Sequence, residues 1–388
     1  VLGVLPAAIG ATARDKGLIC PYHNGSEAAW SGNELILAPK NLLELINHFK
    51  GTQILKKPSA EIDQGNITYP DLADIKGQET AKRALEIAAA GGHNMLMCGP
   101  PGAGKSMLAQ RLPGLLPPMD SKEMLECSMI ASLAGLLTDG KLQSSRPFRA
   151  PHHSCSMAAM VGGGMSKRIS PGEISIAHHG VLFLDELPEF QRVVLDSLRQ
   201  PIETGDILIS RAHAHITYPA KFQLIAAMNP CCCGYLSDPE RACNKVPRCA
   251  VDYQGKISGP LFDRIDIYIE VGSLSIMEIE NATPGESSAV VAARVTKARE
   301  LQKLRYHNTD ITINARLDSS LIQKFVVLND DAKKLLNKAV EDLKLSMRGY
   351  NRILKVARTI ADLEEKEIIN KIHIAEALSY RQMTIKRN

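Results

Sequence analysis

Met95-Leu-Met-Cys98 running into Gly99-Pro100-Pro101-Gly102-Ala103-Gly104-Lys105-Ser106 decides the fold. Four apolar residues suit a buried strand, the next eight match G-x-x-x-x-G-K-[ST], and Met107–Leu112 opens a helical pattern. Strand, glycine-rich loop and helix in that order make a phosphate cradle. Gly102 and Gly104 let backbone N–H groups converge on phosphate oxygens, and the helix N-terminus adds a favourable dipole. In such a loop, Gly99 to Ser106 hold the nucleotide. Lys105 reaches the β- and γ-phosphates and Ser106 ligates Mg²⁺. ATP and Mg²⁺ are the expected cofactors.

Working outward, Mg²⁺ needs a second anchor and the attacking water needs a base. Val181-Leu-Phe-Leu-Asp185-Glu186 supplies both: a buried-strand run ending in two carboxylates. Asp185 is the expected Mg²⁺ partner and Glu186 the expected base. Further short apolar runs stand at Leu224–Met228 and Ile265–Ile269, separated by helical or polar stretches. Short apolar strands alternating with helices predict an α/β class, a mainly parallel sheet with helices on both faces. Polar residues with Lys56-Lys57-Pro58 and Pro70 read as a linker over 53–70, and the α/β core is expected over 71–275. Beyond it, 276–388 is helical in pattern and rich in Lys, Arg, Leu and Ala.

Composition narrows the class. With 388 residues, 45% apolar and 23% charged, the chain suits two or three folded domains and is not disordered. No run approaches 18 consecutive apolar residues, so no membrane span is expected. Forty-six Lys and Arg against 42 Asp and Glu give a net charge of +4, which neither demands nor forbids nucleic acid. Aromatic content of 4% argues against base stacking as the main device. Nine scattered or crowded cysteines do not form a secreted disulfide framework, so a cytoplasmic location is expected. Four of them, Cys231, Cys233, Cys243 and Cys249, have a spacing that resembles a Cys₄ Zn²⁺ knuckle, with Cys232 as a spare thiol. The pairs His152/His153 and His178/His179 are read as local structure, because no Cys or carboxylate partner has suitable spacing.

The phosphate loop and the Asp-Glu strand stand in a longer ordered set. Ile75-Lys-Gly-Gln-Glu79 precedes them, with Phe148-Arg-Ala-Pro-His-His-Ser154, Gly162-Gly-Gly164, Pro171-Gly-Glu173 and Ala177-His-His-Gly180 between. Asn229-Pro-Cys231 and Ile257-Ser-Gly-Pro-Leu-Phe-Asp-Arg-Ile-Asp266 follow. This set resembles the magnesium-chelatase-like ComM (YifB) family of AAA+ ATPases, densely over 71–388 and more loosely over 1–50. The resemblance implies a P-loop NTPase core with a C-terminal helical lid. It makes residues 1–52 the end of a Lon-type S5-fold domain whose front precedes Val1. It assigns Asn229 to positioning the lytic water, Arg264 to the arginine finger, and Arg348 to the sensor on the lid. A finger working in trans implies a homo-oligomeric ring, usually of six.

In related chelatase and MCM-like proteins a hairpin just before the Asn position enters the ring pore. Thr204–Thr217 reads as such a hairpin, which makes Arg211, His213 and His215 candidate DNA contacts, with Lys221 a weaker one. Gly162–Arg168 resembles a second insert, carrying Lys167 and Arg168. Arg294, Lys297, Arg299, Lys303 and Arg305 lie on one helical stretch that suits either a phosphate backbone or solvent. The family's role adds a helicase that promotes branch migration of DNA during homologous recombination and natural transformation. Rival expectations are a chelatase-type ATPase that remodels a protein partner for metal insertion and a protease-linked ATPase. No Ser/Lys pair supports the latter.

Overall fold

The computed structural model describes residues 1–61, 69–137, 140–164, 169–211, 214–236, 247–274, 276–283 and 285–381. A central sheet is built from β1 (Met95–Cys98), β2 (Phe148–Arg149), β3 (Val181–Leu184), β4 (Gln223–Met228) and β5 (Ile267–Glu270). All neighbours are parallel, in the order β5-β1-β4-β3-β2. Every residue of β1, β3 and β4 is buried. That is why these strands read as apolar runs: both faces are covered, and the one polar residue, Gln223 at the start of β4, donates its amide to Ala88 O and His93 O. β2 escapes the same reading because it has only two half-buried residues.

Strand alternation sorts the side chains into two cores. Met95, Met97, Val181, Phe183, Ile225 and Ala227 face α1 (Glu79–Gly91), α2 (Lys105–Leu115) and the C-terminal helices. Leu96, Leu182, Leu184, Leu224 and Ala226 face Leu187, Val194, Leu195 and the hairpin residues Ile207, Ile209 and Tyr218. α1 is buried continuously from Ala84 to Gly91 and stops at Gly92, whose φ of 71° makes a left-handed cap.

The register fixes what lies at each sheet edge. Met95 stands beside both Ile225 and Ile267, and Gln223 beside Val181. The loops after β1, β3 and β4 therefore emerge together at the carboxyl edge, where open parallel sheets hold ligands. Residues just before β5 lie at the amino edge, where Asp266 N donates to Asn94 O at 2.9 Å.

The C-terminal helices include α4 (Ser288–Arg305) and α5 (Met347–Leu363), with α3 (Ser121–Ala134) lying earlier in the chain. Basic residues of α4 hold the unit together. Arg299 Nε and Nη2 donate to Ala89 O at 3.0 and 2.7 Å, closing carbonyls at the end of α1. Arg294 pairs with Glu86 and Glu286, Lys297 with Glu365, and Arg305 with Asp362. Four of the five basic residues of this stretch have partners within the chain, with Arg299 and Arg305 turned inward and the Lys297–Glu365 pair on the surface.

Residues before the linker form a small unit around Val4, Ala8, Cys20, Ala28 and Ile36. Its anchor is Glu27, 4% exposed, which accepts from Leu5 N at 2.9 Å and from the Ser132 hydroxyl of α3. Among the described residues no helix is long and apolar enough to cross a membrane.

Candidate functional site

The loop after β1 turns through Gly102 (φ 78°) and Gly104 (φ 85°), conformations that disfavour any side chain. A Cβ at either position would meet nothing within 4 Å, so the concave side of the loop is open. Lys105 begins α2, and its ammonium donates to Gly99 O at 2.7 Å, Pro100 O at 2.8 Å and Asn229 Oδ1 at 3.2 Å. Burial lowers its pKa, against the opposing pull of Asp185. Ser106 Oγ donates to Asp185 Oδ2 at 2.6 Å. A hydroxyl and a carboxylate in contact at the foot of an open anion cradle are a donor set that suits Mg²⁺ bound to a polyphosphate. The observed cradle fits the expected cofactors.

Asp185 Oδ1 accepts from Glu186 N at 2.9 Å, and Glu186 itself adopts φ 51°. This left-handed step turns the exposed Glu186 carboxylate toward His153, whose Nδ1 lies 3.3 Å from Oε2. His153 packs edge-on against Phe190 and its ring lies 4.0 Å from that of His152. Sequence reasoning treats this pair as local structure and misses the contact with Glu186. Lys105, Ser106, Asp185, Glu186 and Asn229 thus gather at the carboxyl edge, from three separate strands.

Arg264 is not among them. It precedes β5 at the amino edge, and the four residues of β1 alone separate the two edges by roughly 13 Å. Its acidic neighbours in sequence, Asp263 and Asp266, are engaged elsewhere. Asp263 meets Arg352, which donates to its carbonyl at 2.9 Å, and Asp266 meets His93. Arg264 instead pairs with Glu203 at 2.5 Å. Arg348 is exposed on α5, one helical turn before Arg352. No contact among the described residues ties it to its own phosphate loop.

Family models match this chain as magnesium chelatase, subunit ChlI, over residues 71–279 and as the C-terminal part of that subunit over 285–381. The competence protein ComM of Haemophilus influenzae is 46% identical over 391 residues, covering 99% of this chain and 75% of that protein. YifB of Salmonella typhimurium is 45% identical over 386 residues, 98% and 74% of the two chains. The chain belongs to the ComM/YifB family of magnesium-chelatase-like AAA+ ATPases. A magnesium-chelatase 38 kDa subunit from Rhodobacter capsulatus is a more distant relative, 25% identical over 351 residues, 84% and 91% of the two chains.

The two inserts of this ComM/YifB chain stack on each other. Asp206–Arg211 and Ala214–Pro219 form the hairpin, with Ile207, Ile209 and Tyr218 buried and Asp206, Leu208, Ser210, His215 and Thr217 facing out. Gly162–Gly163 pairs with Ser170–Pro171, and Tyr218 donates from its hydroxyl to Ile169 O at 2.9 Å. His215 is exposed and its Nδ1 lies 3.0 Å from Ser210 Oγ. Arg211 ends the first strand, while His213, Lys167 and Arg168 lie outside the described residues. Lys221 is exposed at the hairpin base.

Three of the expected zinc ligands gather. Cys231 and Cys249 are buried in one small cluster with Cys233 against it, and the Cys231 and Cys233 sulfurs lie 3.0 Å apart. Burial, then the neighbouring Cys233 thiol, raises the Cys231 pKa. Cys243 lies outside the described residues, and the comparisons imply nucleotide and Mg²⁺ but not zinc, so no zinc role is carried forward.

The second histidine pair has the carboxylate that spacing did not reveal. Glu126, from α3, faces His178 Nε2 at 3.1 Å and His179 Nε2 at 2.7 Å. The trio is nevertheless no metal site. His178 Nδ1 accepts from Lys221 N at 3.0 Å, so the ring's proton sits on Nε2 and leaves no lone pair there for a cation.

Proposed function

We propose that this chain is a Mg²⁺-dependent ATP hydrolase that works as a ring on DNA. The observation that carries it is the division of the machinery between two sheet edges. Lys105, Ser106, Asp185, Glu186 and Asn229 stand at one, Arg264 at the other. A single chain cannot bring both to one nucleotide without dismantling its sheet, whereas a head-to-tail ring supplies Arg264 to the neighbour's site.

In this reading Lys105 leaves the loop carbonyls for the β- and γ-phosphates, while Ser106 and Asp185 hold Mg²⁺. When bound there, Mg²⁺ would supply positive charge against the phosphate oxygens. Glu186 accepts the proton of the attacking water, and Asn229 orients that water from the end of β4. Arg264 meets charge developing on the neighbour's γ-phosphate, and Arg348 reaches a nucleotide from the C-terminal lid, as the family pattern implies. The site is completed only in the assembly.

The DNA part rests on the family. The Haemophilus relative is named a competence protein, and this chain matches it far more closely than it matches the Rhodobacter chelatase subunit. The ComM resemblance implies branch migration in recombination, with the exposed hairpin face and the 162–171 insert toward the strand. An ATPase assay across single-stranded, duplex and forked DNA tests this. At least one DNA should raise turnover, and its apparent affinity should fall steeply as salt rises, because phosphate contacts release counterions. Turnover indifferent to every DNA but raised by a protein partner would replace the DNA reading with the chelatase-type one.

A further inference from the structure

Arg264 is an unusually restrained side chain for a residue that must meet another molecule. Its Nε donates to Arg199 O at 3.1 Å, Nη1 to Pro260 O at 2.5 Å, and Nη2 to Glu203 Oε1 at 2.5 Å. The side chain is only 11% exposed, while Glu203 is 54% exposed. A guanidinium has five N–H donors, so three are committed and two remain, one on each terminal nitrogen. Two of the three restraints are backbone carbonyls from different segments, acceptors that no side-chain rotation of Arg199 or Pro260 can withdraw.

Arg199 and Glu203 belong to one helical segment, Arg199–Thr204, and are four residues apart, hence on the same face. One short helix therefore supplies both a carbonyl and a carboxylate to the guanidinium. That helix ends at Gly205 (φ 77°) and continues directly into the hairpin strand Asp206–Arg211. We propose that Glu203 is the positioning residue for Arg264. Its carboxylate locks the guanidinium plane in the seat made by the Arg199 and Pro260 carbonyls, leaving a two-donor fork for the adjacent subunit's triphosphate.

This rests on the reading of Arg264 as a residue acting in trans, and it adds a role for a residue outside the expected set. A contact that merely parked the arginine would work oppositely, since removing it would free the finger. A carboxylate on one edge does not exhaust a guanidinium's charge, because a triphosphate with its greater negative charge still attracts the other edge. Because the seat is the back of the helix that feeds the hairpin, a shift of the hairpin in one subunit would be felt at the finger offered to the next.

Complementation in mixed rings of the full chain tests the proposal. Glu203→Ala alone should lower kcat by about tenfold or more, as loss of an aligned charge in phosphoryl transfer does, with KM for ATP changed by less than about threefold. Glu203→Gln, which keeps an acceptor but no charge, should fall between the two. Mixing Glu203→Ala with Lys105→Ala subunits should restore turnover. The second kind cannot use ATP but offers an intact Glu203–Arg264 pair to neighbours whose own phosphate loops are sound. A merely structural defect in the Glu203 variant would not be rescued in this way. Turnover that is unchanged or raised in Glu203→Ala, or a mixture that stays inactive, overturns the positioning role. Arg264→Ala mixed with Lys105→Ala is the parallel control. If that pair fails to complement, the trans reading of Arg264 itself falls; if it complements and the Glu203 pair does not, only the present proposal falls.

Discussion

Lys105 shows at single-residue scale how the phosphate loop is held in order. Its three ammonium protons are matched by three acceptors: the Gly99 and Pro100 carbonyls and Asn229 Oδ1. A phosphate that takes over those bonds also releases Asn229. Lys105→Ala should therefore abolish both nucleotide binding and turnover, whereas Glu186→Gln, which keeps shape and loses the base, should retain binding and lose turnover. Titration of a fluorescent nucleotide beside a phosphate-release assay separates the two. Hydrolysis persisting in either variant overturns the site. His178 makes a different residue-scale prediction. Burial, then the neighbouring His179, lowers its pKa to about 4, and the Lys221 N–H occupying Nδ1 opposes protonation in the same sense. The unfolded chain takes up that proton near the ordinary value of 6.5, so stability should fall as pH drops from about 6.5 to about 4. This one group can cost at most about 3.5 kcal/mol, because each tenfold difference in proton affinity between the folded and unfolded chain is worth about 1.4 kcal/mol. His178→Asn, which keeps an acceptor for Lys221 N and does not titrate, should show a flatter stability profile between pH 7 and 4.5 in denaturant melts. Equal slopes would refute the assignment.

At the scale of elements, the two inserts behave as one packed unit because Gly162 lets them touch. A Cβ there would stand 2.7 Å from Ile209 Cδ1, 2.7 Å from Ser170 O and 2.9 Å from Gly172 N, at a φ of 106°. Gly162→Ala should cost about 2 kcal/mol or more, since backbone strain and overpacking add and two of the three neighbours are backbone atoms that cannot swing away. A drop of several degrees in Tm checks this; an unchanged Tm would mean the inserts are not packed as described. The elements also show what a linear reading can reach. β1 with its loop, and β3 with Asp185-Glu186, are local patterns. Burial on both faces leaves continuous apolar runs, and the chemistry sits at the next residue. Contacts that bridge elements leave no such mark. Glu126 meets the His178/His179 pair from 52 residues away, and Glu203 meets Arg264 from 61 away. His153 meets Glu186 across the sheet's carboxyl edge, with no spacing rule to announce it. The basic run of α4 is ambiguous in sequence for the same reason. Whether Arg299 faces DNA or the Ala89 carbonyl depends on which helix packs beneath it, and that is a tertiary fact.

Across the whole molecule, the C-terminal helices and the sheet are joined beside Arg264. Thr359 of α5 meets His93 Nε2 at 2.8 Å, His93 Nδ1 faces Asp266 at 3.3 Å, and Asn94 Nδ2 donates to Arg264 O at 2.9 Å. Arg264 is thus linked through Asn94, Asp266 and His93 to α5, so on the proposed reading a neighbour's nucleotide would sense the C-terminal helices through Arg264. Such a division has a direct kinetic consequence. Nucleotide binding uses the carboxyl edge of one chain and should be independent of protein concentration. In the proposed ring hydrolysis uses two chains, so turnover per subunit should rise with protein concentration and level off once rings are complete. Doping with Arg264→Ala subunits should then lower turnover in proportion to the fraction of interfaces they occupy, while leaving the amount of nucleotide bound unchanged. Sedimentation run alongside the assay identifies the assembly present at each concentration. Constant turnover per subunit in a range where the chain sediments as a monomer would show that one chain suffices, and the two-edge division would then not describe the working enzyme.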